Sequence, residues 1–119
     1  MPFWHSALIL WISMQKKKLG LLLSTPPSHP NVATVARLSE TGLKDGIDVY
    51  LYLIDEGVKN IHDDRLLALS RGGAKLFACA YGCQQQGVPT NNIDPSVQLC
   101  GLVVLSNMMN GCDRFVAFN

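Results

Sequence analysis

The chain has 119 residues and a mass of 13.0 kDa, is 48% hydrophobic and 16% charged, and carries Lys+Arg 10 against Asp+Glu 9. That is the size of one domain, and its apolar content excludes a disordered chain, because burial offsets the chain entropy. The near-neutral balance, with only Lys16, Lys17 and Lys18 clustered, argues against a nucleic-acid binder, and the low charged fraction directs apolar surface toward subunit contacts.

Residues 1–13, MPFWHSALILWIS, hold no Lys, Arg, Asp or Glu and are followed by MQKKK. The charge follows the apolar run instead of preceding it, unlike a secretory signal, and the run is short of the roughly 20 residues of a membrane span. An apolar arm or a weak membrane-surface anchor are alternatives. The favoured expectation is a domain covering 14–119 that starts at Met14, with 1–13 as an extension outside the native fold.

Leu19-Gly20-Leu21-Leu22-Leu23-Ser24 is a short continuous apolar run, as in a strand buried on both faces. It stops at Thr25-Pro26-Pro27-Ser28-His29-Pro30, where three prolines remove backbone donors. Asn31 is a plausible cap for a helix carrying Val32, Val35, Ala36, Leu38 and Leu43, which Gly46 ends. Ile47 to Ile54 reads as a second strand, Asp55-Glu56-Gly57 as a turn, and Ile61 to Ser70 as a helix with Asp63 and Asp64 at its positive end. Lys75 to Ala80 is a third strand, followed by a short helical piece from Cys83 to Gln86. Ser96 to Asn110 reads as one long apolar helix, and Arg114 to Phe118 as a closing strand.

This alternation predicts an α/β fold: a small three-layer sandwich with a four- or five-stranded parallel sheet in a flavodoxin-like order, 2-1-3-4. In that order the loop at 24–30 and the loop beginning at Cys79 face each other across a crevice at the strands' carboxyl ends. A phosphate cradle does not suit the crevice, because TPPSHP lacks the glycines and free N–H groups that nucleotide or FMN phosphates need.

Four cysteines, Cys79, Cys83, Cys100 and Cys112, do not make a disulfide scaffold in a chain this apolar. Cys100 and Cys112 read as buried small hydrophobes. Cys79 stands where a strand gives way to a helix, and the unpaired N–H groups there stabilise a thiolate, the form that attacks and carries sulfur. Cys83 lies four residues on, which would place both sulfurs on one helix face, although this is not the Cys-x-x-Cys spacing of thioredoxins; two structural cysteines are the alternative. Zinc is disfavoured, since Cys100, Cys112, His29 and His62 add no recognised ligand spacing. His29 either assists a thiolate or is a solvated loop residue. His62 reads as a surface residue, Asp94-Pro95-Ser96 as a turn and cap, and Met108 and Met109 as core or interface filler.

From Lys17 to Phe118 the chain resembles the DsrE/DsrF-like family of small α/β proteins, which includes sulfur-relay subunits of the TusD and DsrE type. The stretch Leu76 to Val88, LFACAYGCQQQGV, carries the resemblance as hydrophobic strand, Cys, short helix and glycine exit, and Asp113 to Phe118 resembles the family's last strand. Relay members usually have an arginine pair where this chain has Gln85-Gln86, and Cys83 is outside their pattern. The resemblance implies a cytoplasmic sulfur carrier or sulfurtransferase-like protein. In it Cys79 accepts a sulfane sulfur as persulfide and Cys83 resolves or protects it, without a cofactor or metal. It implies as partners a protein sulfur donor and acceptor and further copies of the chain in a trimer or hexamer, with no nucleic acid and no stable membrane insertion. A non-catalytic binding or scaffolding subunit, and a thiol redox switch through Cys79 and Cys83, are the alternatives.

Overall fold

The structure, a computed structural model, describes residues 16–119. The apolar extension expected at 1–13 and the start expected at Met14 lie outside the described residues. Five apolar segments form strands: β1 (Lys18–Leu23), β2 (Asp48–Leu53), β3 (Lys75–Cys79), β4 (Val97–Cys100) and β5 (Arg114–Phe118). They pair in parallel in the order 4-3-2-1-5. The α/β class and the parallel sheet are as the sequence predicts.

Successive side chains point to opposite faces of the sheet, so the register sorts the core. Leu21, Leu23, Val49, Leu51, Leu53, Leu76 and Ala78 share one face and are almost fully buried. Helices α1 (Asn31–Lys44) and α2 (Asp64–Arg71) cover that face and pack on each other. Gly42 of α1 lets the helix close on Val49 and Leu19. The other face carries Tyr50, Tyr52, Phe77, Cys79 and Cys100 by the same alternation. It is covered by one helix, α4 (Leu102–Gly111), whose Val104 and Met108 border Tyr50 and Phe77. A short helix, α3 (Ala80–Gln85), follows β3 directly.

Five expectations are corrected. The strand order is not 2-1-3-4, because right-handed crossovers step the chain from β1 to β2, β3 and β4 in one direction before α4 returns it to the free edge of β1. The reversal therefore lies between β1 and β5. Ser24 closes that point by donating to the side-chain oxygen of Asn119 at 2.9 Å, while its backbone N–H donates to the Phe118 carbonyl at 3.1 Å. The 24–30 loop consequently does not face Cys79, since β2 stands between β1 and β3.

The expected helix from Ser96 to Asn110 is two elements, strand β4 and helix α4, divided by Gly101. Tertiary pairing with β3 draws Val97-Gln98-Leu99-Cys100 into the sheet, overriding an apolar pattern that suits either element. The expected turn Asp55-Glu56-Gly57 belongs to a 3₁₀ turn, Asp55–Asn60. At α1, Asn31 does not cap; His29 Nδ1 accepts the Asn31 N–H at 3.1 Å instead.

The 3₁₀ turn sits on the end of β1. Gly57 packs so tightly there that a Cβ would overlap the Leu23 carbonyl oxygen. Buried Asn60 ties the turn down by donating to the carbonyls of Thr25 and Gly57, both at 3.0 Å. Backbone blocks that Cβ, and no rotamer relieves it. Gly57→Ala is therefore expected to cost about 2–3 kcal/mol in urea unfolding, and a loss below ~0.5 kcal/mol would contradict this packing.

Candidate functional site

Cys79 is the last residue of β3 and the N-cap of α3, with an extended backbone that turns its Sγ back over the helix start. The Gly82 N–H donates to Sγ at 3.3 Å. A glycine suits position 82, since a Cβ there would be crowded, 3.2 Å from Val58 Cγ1 and 3.3 Å from Cys79 Cβ. Gly87, with φ +66, ends the segment, and the Val88 N–H closes back on the Cys83 carbonyl at 2.8 Å.

Cys79 is 4% exposed and lines a pocket of about 300 Å³ between the carboxyl ends of β2, β3 and β4. Ile54, Tyr81 and Leu102 form its apolar wall and Gln85 and Gln86 supply amides; among the described residues Asp55 is its one carboxylate and no Lys, Arg or His lines it. A larger hollow of about 730 Å³ runs between α1 and α2, but its walls are aliphatic and charged and, among the described residues, hold no Cys, Ser or His.

Cys100 is brought to Cys79 by the sheet. The two are directly partnered in register as the final residues of β4 and β3. Between and beneath them lies Tyr52 of β2, wholly buried, whose hydroxyl donates to the Gly101 carbonyl at 3.0 Å. Burial first, then Cys100 and Cys79, push the Tyr52 phenol far above its ordinary value, so it stays protonated. Burial pushes the Cys100 thiol up, the Tyr52 hydroxyl draws it partly down, and Cys79 pushes it up again.

Cys83 is completely buried and does not line the pocket; burial, and Cys79 beside it, push its thiol up. Cys112 precedes β5 at the amino-terminal edge of the sheet, with its Sγ against Gly20, and burial raises its thiol as well. His29 is exposed and spent on the start of α1, and His62 is exposed. Asp63 caps α2 by accepting the Arg65 and Leu66 N–H groups, and the Arg65 guanidinium holds its carboxyl below the usual range. Asp94 accepts the Ser96 N–H at 2.9 Å and its hydroxyl at 2.7 Å, as expected of a turn. Met108 is buried and Met109 exposed. Among the described residues no group of three or more His, Cys, Asp or Glu is placed to hold a metal ion.

The sequence singled out Cys79 and Cys83; the structure places Cys100 and Tyr52 beside Cys79 as well. The signal for Cys100 was Gly101, which breaks the apolar run after a four-residue strand, and none marked Tyr52.

An all-parallel α/β sandwich with a cysteine capping the helix after its third strand defines a class of small α/β proteins. The chain belongs to the DsrE/DsrF-like family, whose model matches residues 17–118. The fold is similar to the crystal structure of the ychN protein from E. coli, at 16% identity and a TM-score of 0.75 over 87% of this chain and 100% of that one. It is also similar to BT1422, a conserved protein of unknown function from Bacteroides thetaiotaomicron, at 20% identity and a TM-score of 0.62 over 86% of this chain and 95% of that one. No curated protein matches the chain in sequence.

The raised groups fix how stability follows pH. Below about pH 8.5 Tyr52 and the thiols of Cys83, Cys100 and Cys112 are neutral in the folded and the unfolded chain alike. Above it the unfolded chain ionises while the folded one holds its protons. Their stabilising share is therefore present below the unfolded values and lost as pH climbs toward the raised ones. Urea midpoints are expected to fall steadily between pH 8.5 and 11, and less steeply above about pH 10 in Tyr52→Phe. A midpoint that holds constant to pH 11 would refute this.

Proposed function

We propose that the protein is an intracellular sulfur carrier that holds a sulfane sulfur on Cys79 as a persulfide. The observation that carries the reading is Cys79 Sγ, under the Gly82 N–H, at the head of α3 and the floor of an open pocket. Family membership supports it further. The Cys79 thiolate attacks the outer sulfur of a donor persulfide, the donor thiolate leaves, and the added sulfur occupies the pocket where the Gln85 and Gln86 amides stand. The partners are a donor protein and an acceptor protein in the cytoplasm. Among the described residues no helix is long and apolar enough to cross a membrane.

Intact mass is the test. Incubation with glutathione persulfide and removal of excess donor are expected to add about 32 Da, reversed by dithiothreitol and absent in Cys79→Ser. No adduct on the chain under any condition, or one that survives Cys79→Ser, removes the carrier reading.

The working form is a homo-oligomer. Helix α4 is apolar around most of its surface, yet it leaves Leu102 61%, Val103 74% and Met109 54% exposed. A helix apolar all round is normally buried. Light scattering is expected to give a trimer or hexamer, and Val103→Lys to weaken association at least tenfold, about 1.4 kcal/mol. A monomer at high micromolar concentration would rule this out.

A further inference from the structure

We propose that Cys100 is the resolving thiol of Cys79: the two, side by side at the ends of β4 and β3 over Tyr52, discharge the sulfur as sulfide and close a Cys79–Cys100 disulfide. This rests on the carrier reading for its first step, whereas the pairing of the two thiols stands on geometry alone.

Directly partnered residues on neighbouring strands lie about 4.8 Å apart and point to the same face. That separation is inside the ~4.4–6.8 Å window between Cα atoms that a disulfide spans. Cys100 Sγ leans toward β3, lying 3.8 Å from the Ala78 carbonyl oxygen. In the middle of a parallel ladder, closing such a bridge would pull on hydrogen bonds to either side. Here both cysteines are the last residues of their strands, and the chain leaves the sheet immediately after each, through Ala80 into α3 and through Gly101 into α4. The Tyr52 hydroxyl, bonded to the Gly101 carbonyl, holds the segment that positions Cys100.

Cys83 is placed differently. It also neighbours Cys79, but it is completely buried within α3 and does not line the pocket that a persulfide would enter. Cys100 instead stands at a strand end beside Cys79 in the ladder.

The step balances without an outside oxidant. The Cys100 thiolate attacks Cys79 Sγ, the bond from Sγ to the outer sulfur breaks, and hydrosulfide leaves with the electron pair. The outer sulfur is reduced to sulfide, two thiols are oxidised to one disulfide, and the proton lost by Cys100 ends on hydrosulfide. Burial keeps the Cys100 thiol protonated at rest, so the discharge is slow at neutral pH and a protein acceptor can compete for the sulfur.

Two measurements on the full chain test the pair. In the first, reduced protein without donor is oxidised with diamide and its disulfides are mapped by peptide mass. A loss of about 2 Da assigned to Cys79–Cys100, retained in Cys83→Ala and abolished in Cys100→Ser, is expected. A bridge mapped to Cys79–Cys83, or none, overturns the pairing whatever becomes of the carrier reading.

In the second, anaerobic protein is loaded with glutathione persulfide, freed of excess donor, and followed by sulfide release and intact mass. Wild type and Cys83→Ala are expected to release about one sulfide per chain and end about 2 Da light. Cys100→Ser is expected to keep the adduct of about 32 Da and to release at least ~10-fold less sulfide. Equal sulfide release from Cys100→Ser and wild type overturns the resolving role while the carrier reading stands. If neither protein takes up sulfur, the carrier reading and the discharge step fail together, and the diamide map alone decides the pairing.

Discussion

The contact on which the rest of the structure turns is the seating of the 3₁₀ turn on the end of β1, at Gly57. Because residue 57 has no side chain, the turn comes down onto the Leu23 carbonyl, and Asn60 fixes it there through two carbonyls. Val58, next in the turn, is buried in the core, and its side chain lies close against Gly82, where a Cβ would be crowded. The Gly82 N–H is the one that donates to Cys79 Sγ. The position of β1 is thus linked to the sulfur through a backbone contact at Gly57 and the Val58 side chain at Gly82, without a charged group between them.

The same economy marks the electrostatics. Among the described residues this pocket has two glutamines and a carboxylate, Asp55, held at φ +51. A short polar side chain tolerates that left-handed backbone at modest cost. An anion on Cys79 is therefore met by N–H dipoles at the head of α3 and by amides, never by a full positive charge from the pocket wall. Such a site holds an anion less tightly than a cationic one, and it leaves recognition of anything that enters to shape and amide hydrogen bonds.

How far the sequence displayed this depends on the kind of signal each element carried. Strands β1, β2 and β3 are legible because each is a dense apolar run ended by Pro, Gly or a charge, and Cys79 was visible for the same reason, standing where such a run stops. Strand β4 was not, since four residues ahead of a glycine carry too little period to separate strand from helix, and the pairing that makes them a strand comes from β3, twenty residues away. Reading Cys100 as helical placed it away from the site and left Cys83, near in sequence, as the natural companion of Cys79. Strand order was equally out of reach, because right-handed crossovers are compatible with 2-1-3-4 as well as with the observed 4-3-2-1-5. Tyr52 looked like any strand aromatic; only the register shows that its hydroxyl ends among two sulfurs and the Gly101 carbonyl.

Helix α4 binds these features to the outer surface. Its N-cap Gly101 and first residue Leu102 form one wall of the Cys79 pocket, while Leu102 and Val103 are the most exposed aliphatics among the described residues. Covering that flank therefore means covering part of the pocket's rim. A helix whose packing face meets only one half of a sheet, and whose opposite flank is apolar, gains by burying that flank, and the gain is of the order of 1.5–3 kcal/mol for each aliphatic side chain removed from water. Assembly through α4 would then narrow the route to Cys79 from that side and leave open the side of Tyr81, Gln85 and Gln86, so that the short helix next to the cysteine would become the accessible face of the pocket.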